Sequence, residues 1–121
     1  MKIYIAHSKN MNYIEDLYKP LRSDPFFNNH ELILPHEKDV NSTNSREFYK
    51  TIDIFIADCS EPATGLGIEL GWVYDDNKKI YCIYQKGKKV SNSIKVLTNN
   101  FYEYNNSSEI TSLIKNIIKN V

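Results

Sequence analysis

Residues 53–59 read DIFIADC, and residues 60–76 read SEPATGLGIELGWVYDD. The first stretch is apolar almost throughout, so as a strand it must be covered on both faces, as in a parallel sheet. The second changes at once to helical spacing: Leu66, Leu70 and Val73 fall four and three residues apart. A doubly buried strand that runs straight into a helix constrains the fold more than anything else in the chain. It calls for a sheet with helices against it.

The same change of period recurs along the chain. KIYIAH (2–7), ELILPH (31–36), IYCIYQ (80–85) and FYEY (101–104) read as further strands. YIEDLYKPL (13–21) carries Ile14, Leu17, Tyr18 and Leu21 at helical spacing, with Pro20 marking an end or a kink. SREFYKTI (45–52) predicts a short helix capped by Ser45, and VSNSIKVL (90–97) a turn and a short helix. SSEITSLIKNIIKNV (107–121) predicts an amphipathic helix with Ile110, Leu113, Ile114, Ile117 and Ile118 on one side. The expectation is an α/β fold: a doubly wound, Rossmann- or flavodoxin-like sheet of about five parallel strands with helices on both faces. Residues 1–121 read as one domain. In such sheets ligands bind beyond the carboxyl ends of the strands. The loops at 7–12, 35–44, 59–64 and 85–93 are therefore the places to look.

Composition narrows the partners. The chain has 121 residues, 41% apolar and 25% charged, with a formal net charge of zero. That is an ordinary globular balance, and it argues against a nucleic-acid polymer or a membrane surface as partner. The basic cluster QKGKK (85–89) is local. No apolar run reaches the length of a bilayer span, and the opening MKIYIAHSKN has no small-residue cleavage site behind it. Cys59 and Cys82 lack the spacing of a zinc site, and two cysteines make no disulfide framework. The expectation is a cytoplasmic protein without metal or cofactor.

Candidate site residues gather around the glycines. Gly65, Gly67 and Gly71 are spaced GxGxxxG after the third strand, which is neither a phosphate-binding loop nor a dinucleotide fingerprint. Glu69 lies about one turn inside the helix, where the dipole would keep its carboxylate ionised, as suits a nucleophile. Gly65 and Gly67 would let a substrate approach, and Gly71 would let the helix pack on a strand. The residues alone leave a second reading open, in which Glu69 is a solvated helix residue. Tyr4, on the first strand, could aim its hydroxyl at a carboxylate or serve only as a core aromatic. Ser8 begins the first loop, and His7 and His36 end strands. Asp58 and Thr64 flank the loop before the glycine helix, and Ser91, Asn92 and Ser93 form a polar turn that also reads as a helix cap.

Taken together, MKIYIAHS, LILPHE, IDIFIADCSEPATGLGIELGW, KKIYCIYQ and VSNSIKVL resemble the nucleoside 2-deoxyribosyltransferase family, in particular its branch that hydrolyses 2'-deoxynucleoside 5'-monophosphates. The pieces cover most of the chain in order, and PATGLGIELG is the specific one. The resemblance implies that Glu69 is the nucleophile, that Tyr4 positions it, and that Ser8 lies near a 5'-phosphate. It implies further that Ser91 and Asn92 reach the site of a neighbouring subunit, in a homodimer or larger homo-oligomer with shared active sites. Glu69 would attack C1' opposite the base, and water or another base would resolve the glycosyl ester.

Two positions depart from the family pattern. Ser45 stands where an Asp is usual, and Ala63 stands where an Asp or Ser contacts the 5' end of the substrate. Asp58 or Glu61 could stand in as acids. Two other readings compete with this one. IAHSKN also resembles a TIR-type domain, which would keep Glu69 in its role and change the substrate to NAD. The departures at Ser45 and Ala63 support a non-catalytic nucleotide-binding or interaction module.

Overall fold

Five runs rich in Ile, Tyr and Phe, each too short to pair with itself, line up side by side. The computed structural model describes residues 1–37 and 46–121. Its strands are β1 (Lys2–Ala6), β2 (Glu31–Ile33), β3 (Ile54–Asp58), β4 (Lys79–Gln85) and β5 (Phe101–Tyr104). They form one sheet in the order β2-β1-β3-β4-β5. Every pairing is parallel, and Tyr4 of β1 sits in register between Ile33 and Phe55. The chain steps outward from β1 to β2 and then crosses back to β3, so the order reverses between β1 and β3. That reversal opens a crevice at the carboxyl ends of those two strands.

Period-two alternation divides the core between the two faces. Ile3, Ile5, Ile54 and Ile56 pack with Leu17, Leu21, Ile110 and Ile114. Tyr4, Ala6, Phe55 and Ala57 pack with Tyr49, Leu66, Leu70 and Val73. Helices α1 (Lys19–Ser23) and α5 (Ile110–Lys119) therefore cover one face, and α2 (Arg46–Tyr49) and α3 (Thr64–Asp75) the other. A short helix, α4 (Asn92–Lys95), lies between β4 and β5. All five residues of β3 are buried, as its unbroken apolar run requires.

Some local expectations take a more definite form. Pro20 sits where the helix changes type: a π-turn at Ile14–Tyr18 ends just before it, with the Lys19 N–H bonded to the Ile14 carbonyl, and Pro20 is the second residue of α1. At that position its missing N–H costs nothing. Strand β2 is shorter than ELILPH, because the chain turns away at Pro35 while Leu34 stays buried. The Ser45 cap, along with most of the 35–44 loop, lies outside the described residues.

No helix among the described residues is long and apolar enough to cross a membrane. Replacing Leu70, fully buried on the core side of α3, with Ala should cost about 2–5 kcal/mol of stability. Urea denaturation would show this as a lower midpoint at unchanged slope.

Candidate active site

Helix α3 carries two stripes that follow from its spacing. Leu66, Leu70 and Val73 face the sheet. Gly65, Ile68, Glu69 and Trp72, three and four residues apart, form a second face that looks onto a cavity of about 390 Å³. Tyr4 and Tyr49 form its floor, and His7, Lys9, Pro35 and His36 form the opposite wall. The cavity thus lies at the carboxyl ends of β1 and β2, beside the start of α3.

Glu69 is the only carboxylate among the described residues that line it. Its Oε2 accepts a hydrogen bond from the Tyr4 hydroxyl at 2.5 Å and another from the Tyr49 hydroxyl at 2.9 Å. The two hydroxyls are 3.2 Å apart, and with both protons directed at Oε2 they simply touch. Among the described residues no donor meets the other oxygen. Tyr4 is fixed by stacking on Phe55, with ring centroids 5.1 Å apart, and Tyr49 sits edge-on to Trp72 at 5.3 Å. The sequence singles out Tyr4 and Glu69, and the structure brings them together across 65 residues of chain.

Electrostatics add to the expectation for Glu69. Burial opposes the charge that the helix end favours. Burial pushes its carboxyl above the usual range, and the two tyrosine donors pull only part of the way back. Both phenols are held well above their ordinary range, first by burial and, among further causes, by the Glu69 charge beside them. They stay protonated and act as donors only.

The opposite wall has two kinds of imidazole. His7 is buried, and burial lowers it to about 4, so it is neutral. Its Nδ1 lies 3.0 Å from the Ser8 carbonyl, to which it donates, and its Nε2 accepts from the Tyr18 hydroxyl at 2.8 Å. Tyr18 in turn accepts from the backbone N–H of His36 at 2.9 Å. The π-turn that carries Tyr18 thus ties the loops after β1 and β2 together. The His36 ring packs against His7 and Tyr13, and its nitrogens carry no hydrogen bond among the described residues. Partial burial and the nearby Lys9 lower it.

Other candidates lie elsewhere. Asp58 follows Ile54 and Ile56 in alternation, so it emerges on the α1 and α5 side. There its carboxylate accepts from the Tyr104 hydroxyl at 2.6 Å and the Ser60 N–H at 2.9 Å. It is buried, not solvated, and does not reach the Glu69 cavity. Glu61 is paired with Lys88 at 2.8 Å. Neither lines the Glu69 cavity. Ser8 is buried, and its Oγ caps the first loop by accepting from the Asn10 N–H at 3.0 Å.

Thr64, Gly67 and Ser91 line a separate groove with Ser93 and Ile94, so Gly67 does not open the Glu69 cavity as expected. Ser91 precedes α4 at the N-cap position without a side-chain cap hydrogen bond, and Asn92 is the helix's first residue. Gly71 packs on nothing: a Cβ there would meet open space. Among the described residues no group of three His, Cys, Asp or Glu side chains could hold a metal.

Tyr49 and Trp72 were not singled out in the sequence. Trp72 was findable, three residues beyond Glu69 on the same helix face. Tyr49 had a weaker signal: an aromatic with a polar tip on the buried side of the helix that leads into β3.

No protein-family profile matches the chain. A Nematostella vectensis protein, provisionally named 2'-deoxynucleoside 5'-phosphate N-hydrolase 1, is 35% identical over 71 residues. The match spans 55% of this chain and 44% of that relative, so the chain covers less than half of its length. A solved structure, the Clostridium botulinum CMP N-glycosidase, superposes with a TM-score of 0.65 at 23% identity, covering 94% of this chain and 98% of that one. The fold is the flavodoxin-like α/β fold of that glycosidase. The chain resembles the nucleoside 2-deoxyribosyltransferase family in sequence and in fold.

The raised Glu69 carboxyl has a consequence for stability. The folded chain holds that proton more firmly than the unfolded chain, so stability falls as pH rises from about 4.3, the ordinary glutamate value, through the raised one. Glu69→Gln removes the buried charge. Its melting temperature should exceed the wild type's at neutral pH, and the gain should vanish below the ordinary carboxylate range. Calorimetry across pH checks both.

Proposed function

We propose that the chain cleaves the N-glycosidic bond of a nucleoside 5'-monophosphate, with Glu69 as nucleophile and a covalent glycosyl-enzyme as intermediate. One observation carries this reading. Glu69 is held through a single oxygen by two phenol donors and lines a cavity of about 390 Å³. The names of the two similar proteins support the bond and the substrate class.

The free oxygen attacks C1', and the C1'–N bond breaks with its electron pair leaving on the base. Tyr4 orients the carboxylate for that attack. The departing base needs a proton, and the wall opposite Glu69 offers His36 and Lys9. His7 has both nitrogens engaged and serves to shape the wall. Water then attacks C1', giving its proton to the wall group that protonated the base; the ester bond breaks and Glu69 leaves as the carboxylate. A base in place of water would make the reaction a transfer.

The substrate's phosphate has two supports. Ala63 provides no side-chain cap, so the first N–H groups of α3 remain available beside Gly65 at the cavity edge. Lys9 adds a positive charge at the wall. In this reading the site is completed by Ser91 and Asn92 from a second copy, which makes the working unit a homodimer or larger.

The test is base release from a panel of ribo- and deoxyribonucleoside 5'-monophosphates, the parent nucleosides and NAD. Release from a monophosphate is expected, and Glu69→Gln should lower it at least about a thousandfold. Intact-mass measurement during turnover should show the glycosyl adduct on Glu69. Release from NAD alone would favour the TIR-like reading, and no release from any member a binding module. Sedimentation should give at least twice 14.1 kDa.

A further inference from the structure

Helix α2 is one turn long and cannot hold its own place, since isolated helices of that length do not persist in water. Two contacts fix it to α3. Arg46 forms a two-pronged ion pair with Asp76, at 2.6 and 3.0 Å, and reaches Asp75 at 3.2 Å. Its guanidinium lies 5.9 Å above the Trp72 ring, and Trp72 in turn meets the edge of Tyr49. Two-pronged guanidinium–carboxylate pairs are directional as well as strong. The Arg46, Trp72 and Tyr49 series therefore runs from the far end of α3 back to the Glu69 carboxylate.

Tyr49 is 3% exposed, and its hydroxyl could have been left out at little cost to packing. A phenylalanine would keep the contacts with Tyr4, Trp72 and Phe48. The hydroxyl instead donates to the same Glu69 oxygen that Tyr4 already engages. We propose that Tyr49 is a second positioning residue for Glu69: with Tyr4 it grips one carboxylate oxygen and leaves the other to the cavity, and Arg46 keeps it there by tying α2 to α3. The proposal rests on the reading of Glu69 as the nucleophile.

The arrangement has a chemical logic. A carboxylate held through one oxygen cannot rotate, so the attacking oxygen keeps one direction. Two phenol donors also disperse the charge that returns to Glu69 when water breaks the glycosyl ester. A hydrogen bond between neutral donor and ionised acceptor is among the stronger kinds, so its loss should be measurable.

The experiment compares Tyr49→Phe with the wild type. The titratable groups around Glu69 are Tyr4 from β1, Tyr49 from α2, and His7, Lys9 and His36 from the loops after β1 and β2, with Tyr18 behind them. Only Tyr4 and Tyr49 donate to the carboxylate, and both pull its proton affinity down. Tyr49→Phe should therefore move the acidic limb of the kcat/KM profile to higher pH. It should lower kcat about 10–100-fold with little change in KM, at a melting temperature close to the wild type's. Arg46→Gln should move both quantities the same way by less. Carboxyl-carbon NMR of Glu69 gives a readout without turnover, and its titration should shift upward in Tyr49→Phe.

An unmoved Glu69 titration, or an unchanged kcat with an unmoved acidic limb, overturns the proposal. A fall in activity matched by a fall in melting temperature, with the titration unmoved, also overturns it, because that is the mark of a packing role. If the wild type releases no base at all, the reading of Glu69 as nucleophile fails. The NMR titration then decides separately whether Tyr49 grips the carboxylate.

Discussion

The hydrogen bond from Tyr4 to Glu69 is the contact on which the rest depends. It joins the middle residue of the first strand to the middle of the helix after the third, at 2.5 Å. A carboxylate in that position is expensive, because burial opposes its charge. The structure offsets the cost with two phenol donors on one oxygen and leaves the other oxygen reachable. The result is a group that is ionisable, immobile and accessible, three properties that rarely coincide on a protein surface.

That combination follows from topology. The pair of strands at which sheet order reverses leaves a crevice at its carboxyl ends. The strand that supplies Tyr4 and the strand that feeds α3 are that pair, registered Tyr4 to Phe55. The stacked Phe55 ring stops the phenol from swinging, and the π-turn at Ile14–Tyr18 ties the opposing loops through Tyr18. The site is therefore built on the sheet and its immediate connections.

Asp58 and Glu61 show how far a loop position misleads. Both sit close to Glu69 in sequence, and both read as spare acids. Asp58 belongs to the other side of the sheet, because its neighbours Ile54 and Ile56 face α1 and α5. Strand alternation already contained that answer. The proximity of Tyr49 did not follow from any local rule. It required α2 to be pinned to α3 through Arg46 and Asp76, thirty positions apart. The surroundings of Glu69 divide in the same way: the dipole is a property of one helix, whereas desolvation is a property of everything packed around it.

Period and composition by themselves determined the element types, the parallel sheet and the face of α3 on which Glu69 lies, since each follows from side-chain spacing along a single segment. The family resemblance, not the period, marked Tyr4 and Glu69 as a possible pair. The tertiary structure decided that those two share a cavity with Tyr49, that Asp58, Thr64 and Ser91 do not line it, and that burial opposes the Glu69 charge. Spacing is written locally and can be read from neighbouring residues. Which side chains meet across 20 or 65 residues of chain, and how much water is left between them, is set only when the whole sheet is covered.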